Sequence, residues 1–386
     1  MNWSMPRCIG VKEVQVSDFQ LAVLGTNQVF ADDSACEPWV RPIGWRIAQS
    51  VVWIFGVVIL VSLVVRPKLG LMLLWNVLIP AAPALVALAP GLWRNICPLA
   101  STALFPRHMG WSRRKQISKR WQGRLMLVGV VLLFGLIPFR HITLNTNGPA
   151  SAIVLASLAV AAMLAGFFFE WKSAWCSGMC PVHQVEKLYG QDTRITMTNA
   201  HCRRCRNCVV SCSDSIPGIS PMGLKRVSRS SDLAGTIMLG AFPGFVWGWF
   251  QVPSYAPGEG WNHFGQAYGY GFGAATVSLI LFLMLKRFVL GAPYHPRLHR
   301  IFAAAAISFY YWYRLPWLIG LEPSHPESML IDLSGAIPPN AVPAVRIAMG
   351  LTSAAFFMWI IAGRKTAQAR WLRRPAYAKP TDPSFP

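Results

Sequence analysis

Charge is what this chain has least of. Asp, Glu, Lys and Arg make up 13% of its 386 residues, about half the roughly 25% usual in soluble domains, which argues against a globular enzyme surrounded by water. Acids are the scarcer kind, with 15 Asp and Glu against 36 Lys and Arg. No Cys-x2-Cys-His occurs, which removes a covalently attached c-type haem. A b-type haem is not expected either, because the histidines keep to the ends of the apolar runs (His108, His141, His183, His201, His263, His295, His299, His325). Residues 1–45 lack a compact apolar core and include Asp32, Asp33 and Glu37, so no secretory signal is expected and the first membrane helix would direct insertion. No residue stands out as a general acid, a nucleophile or a hydride site.

What is present is apolar length. A run of about 20 apolar residues spans a bilayer, and eight such runs lie near 47–65, 71–92, 123–139, 150–169, 233–252, 268–286, 300–320 and 342–362. Tryptophans crowd their ends (Trp45, Trp93, Trp171, Trp175, Trp247, Trp249, Trp317, Trp359), as an interfacial belt would. The expected fold is an all-α polytopic membrane protein of about eight transmembrane helices. The formal charge of +21 does not call for nucleic acid, because its distribution follows topology. With a cytoplasmic amino terminus, only Arg66, Lys68, Arg140, Arg314 and Arg346 lie on the outer side, so 36 less 5 leaves 31 basic residues inside. That bias places both termini in the cytoplasm and the protein in the inner membrane. Arg314 and Arg346, in the outer ends of helices seven and eight, are expected to snorkel toward the interface.

The chain divides into an amino-terminal segment (1–45), a first four-helix half (46–169), a polar insertion (170–232), a second four-helix half (233–363) and a basic tail (364–386). The insertion holds six of the nine cysteines and is the one stretch long enough for a small cytoplasmic domain. The first half carries a faint repeat. Helix two ends in Trp93-Arg-Asn-Ile-Cys97-Pro98 and helix four in Cys176-Ser-Gly-Met-Cys180-Pro181. Matched positions in paired hairpins are places to expect one shared site, although here Trp93 stands where the second copy has Cys176.

The strongest chemical signal is Cys202-x2-Cys205-x2-Cys208-x3-Cys212. Thiolates at every third residue wrap one [4Fe–4S] cubane, each meeting a different iron, while the fourth iron takes a cysteine remote in sequence. Zinc sites favour two Cys-x2-Cys knuckles a dozen or more residues apart, and a cytoplasmic setting disfavours disulfides. Cys180 is the expected remote ligand. Cys212, Cys176 and Cys97 would supply three ligands of a second cluster, completed by Cys8, Cys36 or His183. The alternative is one cluster plus spare thiols, since cysteines at helix ends are often small buried hydrophobes. Arg203, Arg204 and Arg206 interleave with the ligands. Such a field raises a cluster's potential and suits an acidic partner such as a ferredoxin or flavodoxin, unless it only obeys the topology rule.

At Cys176, Cys180 and Pro181, and then at Cys202, Cys205, Cys208 and Cys212, the chain resembles membrane polyferredoxins of the NapH/NosR/CcoG type. Cys97-Pro98 looks like a degenerate first copy of their helix-end motif. The likeness covers about 70–232. It implies a ferredoxin-like insertion and electron delivery between a cytoplasmic donor and the quinone pool or a partner redox complex. A role in metalloenzyme assembly, or as an iron–sulfur redox sensor, is the alternative. The chain departs from that type in its eight expected helices and its incomplete first Cys-x3-Cys-Pro.

Overall fold

The computed structural model describes residues 42–170, 172–189, 228–322 and 329–363. Within them the chain is helical, with no strand beyond an isolated bridge between Lys115 and Phe169. Six helical stretches are long and apolar enough to cross a membrane: Ile43–Val65, Pro67–Leu88, Arg120–Leu144, Gly148–Phe168, Glu259–Val289 and Val342–Ala362. Large apolar side chains such as Val131, Ile153, Val277 and Phe288 stay exposed on them. An apolar surface of this extent suits lipid and not water.

Six of the eight expected spans are therefore long apolar helices, and the other two differ in kind. The fifth is broken into Arg229–Gly240 and Phe242–Trp249, because Pro243 has no N–H to give to the preceding turn. The seventh is a continuous helix, His295–Leu318, but His295, Arg297, His299, Arg300 and Arg314 lie along it and make it less apolar than the six.

In the first half, α1 (Pro42–Val65) and α2 (Pro67–Leu88) form one hairpin, turning at Arg66 with Pro67 opening α2. A short helix α3 (Pro90–Ile96) then leads through Cys97 into α4 (Pro98–His108). The second hairpin repeats this plan with α5 (Lys119–Phe139) and α6 (Gly148–Phe168), a π-helical turn Trp175–Met179, and α7 (Pro181–Tyr189) after Cys180. Ser118 and Asn147 cap α5 and α6 by accepting from the amides of Trp121 and Ala150, which fixes where each helix begins. The remaining helices are α8 (Arg229–Gly240), α9 (Phe242–Trp249), α10 (Phe264–Met284), α11 (His295–Leu318) and α12 (Val342–Phe357).

Packing exchanges the hairpins. Helix α4 lies against α1 of its own hairpin and α6 of the other, while α7 lies against α5 of its own and α2 of the other. Close approach is built in by glycine. A Cβ at Gly166 of α6 would stand 1.7 Å from the Ala103 carbonyl oxygen of α4, and one at Gly129 of α5 would stand 2.9 Å from Gln184 Nε2 of α7.

The expectation that Arg314 snorkels is corrected. Its side chain is 0% exposed, with Nη2 donating to the Trp75 carbonyl at 2.6 Å and to Asn76 Oδ1 at 2.7 Å. Trp75 and Asn76 belong to a π-helical turn of α2, Leu73–Leu78, which brings acceptors to the arginine inside the bundle. Arg346 does sit near the surface, paired with Glu322.

Candidate metal centre

The two Cys–Pro junctions share one backbone conformation. Cys97 has φ −54° and ψ 121°, and Cys180 has φ −65° and ψ 119°. Proline explains this, since it disfavours helical geometry in the residue before it and is well placed in the first turn of the helix it opens. Each cysteine thus ends one helical segment, turns the chain in extended geometry and begins another.

This geometry brings the two junctions to one cavity. Its wall holds Trp93, Cys97 and Ala100 from the first junction and Cys176, Cys180 and His183 from the second, with Arg94, Lys172, Trp175, Val182 and Glu186 around them. The six junction residues occupy equivalent places: four before each cysteine, the cysteine itself, and three after it. The cysteines expected to be ligands, one after the first hairpin and two after the second, therefore line one cavity. Cys180 is buried, Cys97 and Cys176 are half-buried, and none is in a disulfide. Cys202, Cys205, Cys208 and Cys212 lie outside the described residues, as do Arg203, Arg204, Arg206, Cys8 and Cys36.

Electrostatics in the cavity favour an anion. Glu186 pairs with Arg94 across the two junctions, and its other oxygen lies 2.5 Å from His183 Nδ1. Lys187 is buried and reaches the Ser177 carbonyl at 3.3 Å and Gln184 Oε1 at 3.4 Å; Lys172 is buried in the cavity wall. Arg94 and Lys172 thus line the cavity with one carboxylate, Glu186, and Lys187 lies next to it in sequence. Burial pushes Lys187 down to about 7, with Cys180 and Cys176 opposing the shift and Arg94 adding to it. The thiols respond in the opposite sense. Burial, and then the neighbouring Cys97, push Cys180 up to about 12. Burial also raises Cys97, partly offset by the backbone amides of Ala100 and Leu99 and by Lys172. Unligated, these thiols keep their protons, and a metal would displace them.

His183 has a defined state. Burial and then Lys187, Arg94 and Lys172 hold it well below the usual imidazole range, so it is neutral. Glu186 accepts from Arg94 through Oε1 and turns Oε2 to the ring, an arrangement that suits a ring proton on Nδ1. The opposite nitrogen, Nε2, is buried without a hydrogen-bond partner, and so is Trp175 Nε1 in the same wall. Buried polar atoms are normally satisfied, so two orphans on residues of one cavity wall point to a polar occupant.

The donor chemistry fits an iron–sulfur cluster: three thiols, an imidazole nitrogen and a wall of positive charge. Among the described residues no three His, Cys, Asp or Glu side chains are close enough to share a single ion. A cubane asks less, since each thiolate meets a different iron. The repeat visible in the sequence aligns Trp93 with Cys176 and runs to the prolines. Carrying the repeat three residues further aligns Ala100 with His183, which was the available signal. The Arg94–Glu186 pair had none, because it joins different helices. No family model, curated protein or solved structure matches the chain.

Proposed function

We infer that this chain is a membrane-bound iron–sulfur protein that relays electrons between a cytoplasmic donor and the quinone pool or a partner redox complex. One observation carries the reading: three cysteines from two distant Cys–Pro junctions line one cavity with buried cations. A cysteine-ligated cubane is an anion, and positive charge beside it favours its reduced, more negative state. When bound, such a cluster supplies reversible electron uptake. The chain's own part is to hold it: Cys97 and Cys180 from extended turns fixed by Pro98 and Pro181, and Cys176 from a π-helical turn, a feature frequent at functional sites.

Cys202, Cys205, Cys208 and Cys212 supply the other cluster, within a ferredoxin-like insertion between helices four and five of eight; Cys180, expected as the remote ligand of that run, and Cys212, expected beside Cys176 and Cys97, thus exchange places, because Cys180 lines one cavity with Cys97 and Cys176. Arg203, Arg204 and Arg206 steer an acidic ferredoxin or flavodoxin to it. The basic bias puts both termini and the insertion on the cytoplasmic face of the inner membrane.

Iron and acid-labile sulfide measured on protein purified without oxygen test the proposal, together with electron paramagnetic resonance after dithionite reduction. Two cubanes give about eight irons per chain and a spin-coupled spectrum. Iron and sulfide near zero, or zinc in their place, overturn it. A loaded protein that neither quinone nor ferredoxin can oxidise or reduce overturns the relay.

A further inference from the structure

We propose that His183, through Nε2, is the fourth protein ligand of the cluster held by Cys97, Cys176 and Cys180. This rests on the iron–sulfur reading above and names the donor that reading lacks.

Three observations converge on His183. The ring lines the cavity with the three cysteines, and the residue is only 5% exposed, yet Nε2 has no hydrogen-bond partner. Its other nitrogen lies 2.5 Å from Glu186 Oε2. Metal-bound histidines almost always give their second ring N–H to a carboxylate or carbonyl, which fixes the tautomer and raises the basicity of the ligating nitrogen. Glu186 is itself held by Arg94 from the other junction, so the imidazole cannot turn freely. These contacts form a positioning chain, Arg94 to Glu186 to His183, that ends on Nε2.

Chemistry agrees with geometry. A histidine in place of a cysteinate takes one negative charge from the cluster's ligand set and raises its potential, as in histidine-ligated two-iron centres. The repeat also accounts for the position. His183 stands three residues after Cys180, on the first turn of α7, where its counterpart Ala100 lines the same cavity from α4.

The test is nitrogen hyperfine coupling in the reduced, fully loaded protein, made with 15N-labelled histidine. Coupling to a labelled ring nitrogen is expected in the parent. In His183→Cys, whose thiolate can take the same iron, the iron content should hold while the coupling disappears and the potential falls. His183→Ala should lose the cavity cluster, a change visible as lost iron. Iron in the parent without histidine coupling overturns this assignment and leaves the iron–sulfur reading standing. Coupling that survives in His183→Cys overturns it as well. A parent without iron is the separate failure of the functional reading.

Discussion

The two Cys–Pro junctions are alike in backbone and unlike in chemistry. Both turn at an extended cysteine, both open a helix with proline, and the two following helices exchange partners between the hairpins. The cavity is lined from the same three places in each copy. The second copy fills them with Cys176, Cys180 and His183, all donors. The first fills them with Trp93, Cys97 and Ala100, of which one is a donor. Symmetry of the frame therefore decides where the site lies, and asymmetry of the side chains decides how many ligands it has. The donor-poor copy contributes differently, through Arg94, whose guanidinium holds the carboxylate that orients His183.

The largest expected effect comes from removing the donor of the poorer copy. Cys97→Ser leaves the frame intact, since serine keeps the size and the pre-proline geometry, but takes away its one thiol. With two clusters loaded, about half of the iron should be lost, and the spin coupling with it. Unchanged iron content would show that the first junction binds nothing. Next is Arg94→Met, which leaves Glu186 buried without its charged partner. Removing one member of a buried pair costs about 3–5 kcal/mol, readable as a lower midpoint in thermal unfolding in detergent. A variant as stable as the parent would mean that the carboxylate finds another cation, with Lys187 the nearest candidate on its own helix.

Gly166→Leu attacks the frame and not the ligands. Its side chain would be driven into the Ala103 carbonyl of α4, and overpacking of this kind costs about 1–3 kcal/mol, occasionally more. The effect should fall on stability and on the iron of the cavity together, because α4 carries Cys97 at its start. Lost stability with intact iron would separate the packing of α4 from the placing of its cysteine.

The hairpins were readable in the sequence because lipid imposes one demand, a long apolar run, and four of the first half's helices meet it without exception. The fifth expected span is one apolar stretch in sequence but two helices in the structure, because a hydropathy run carries no sign of the N–H that Pro243 lacks. Arg314 was misread for a related reason. An arginine near a helix end snorkels unless something inside the bundle accepts from it, and the acceptors here, Trp75 and Asn76, lie more than two hundred residues away in sequence. The junction cysteines were legible through their prolines. Their meeting in one cavity was only suggested by the repeat, since it depends on the crosswise packing of α4 and α7, and no local pattern encodes that.

The smallest effect sharpens the comparison most. Ser177 occupies the place in the second copy that Arg94 occupies in the first, three residues before the cysteine. The two side chains differ in what they do for the protein. Arg94 is paired, whereas Ser177 Oγ is buried without a hydrogen-bond partner, and the contact from Lys187 goes to its backbone carbonyl. Ser177→Ala removes an unsatisfied hydroxyl and keeps that carbonyl. Stability of the protein without metal should change by less than about 0.5 kcal/mol, or rise, since an orphan donor costs free energy that alanine does not. Ser177 follows Cys176 in the chain, and a hydroxyl that donates to a cluster sulfur raises the potential. A fall in midpoint potential with unchanged iron would place Ser177 at the cluster. A clear loss of stability in the metal-free protein would instead show that the hydroxyl serves packing, and that the two copies differ less than their side chains suggest.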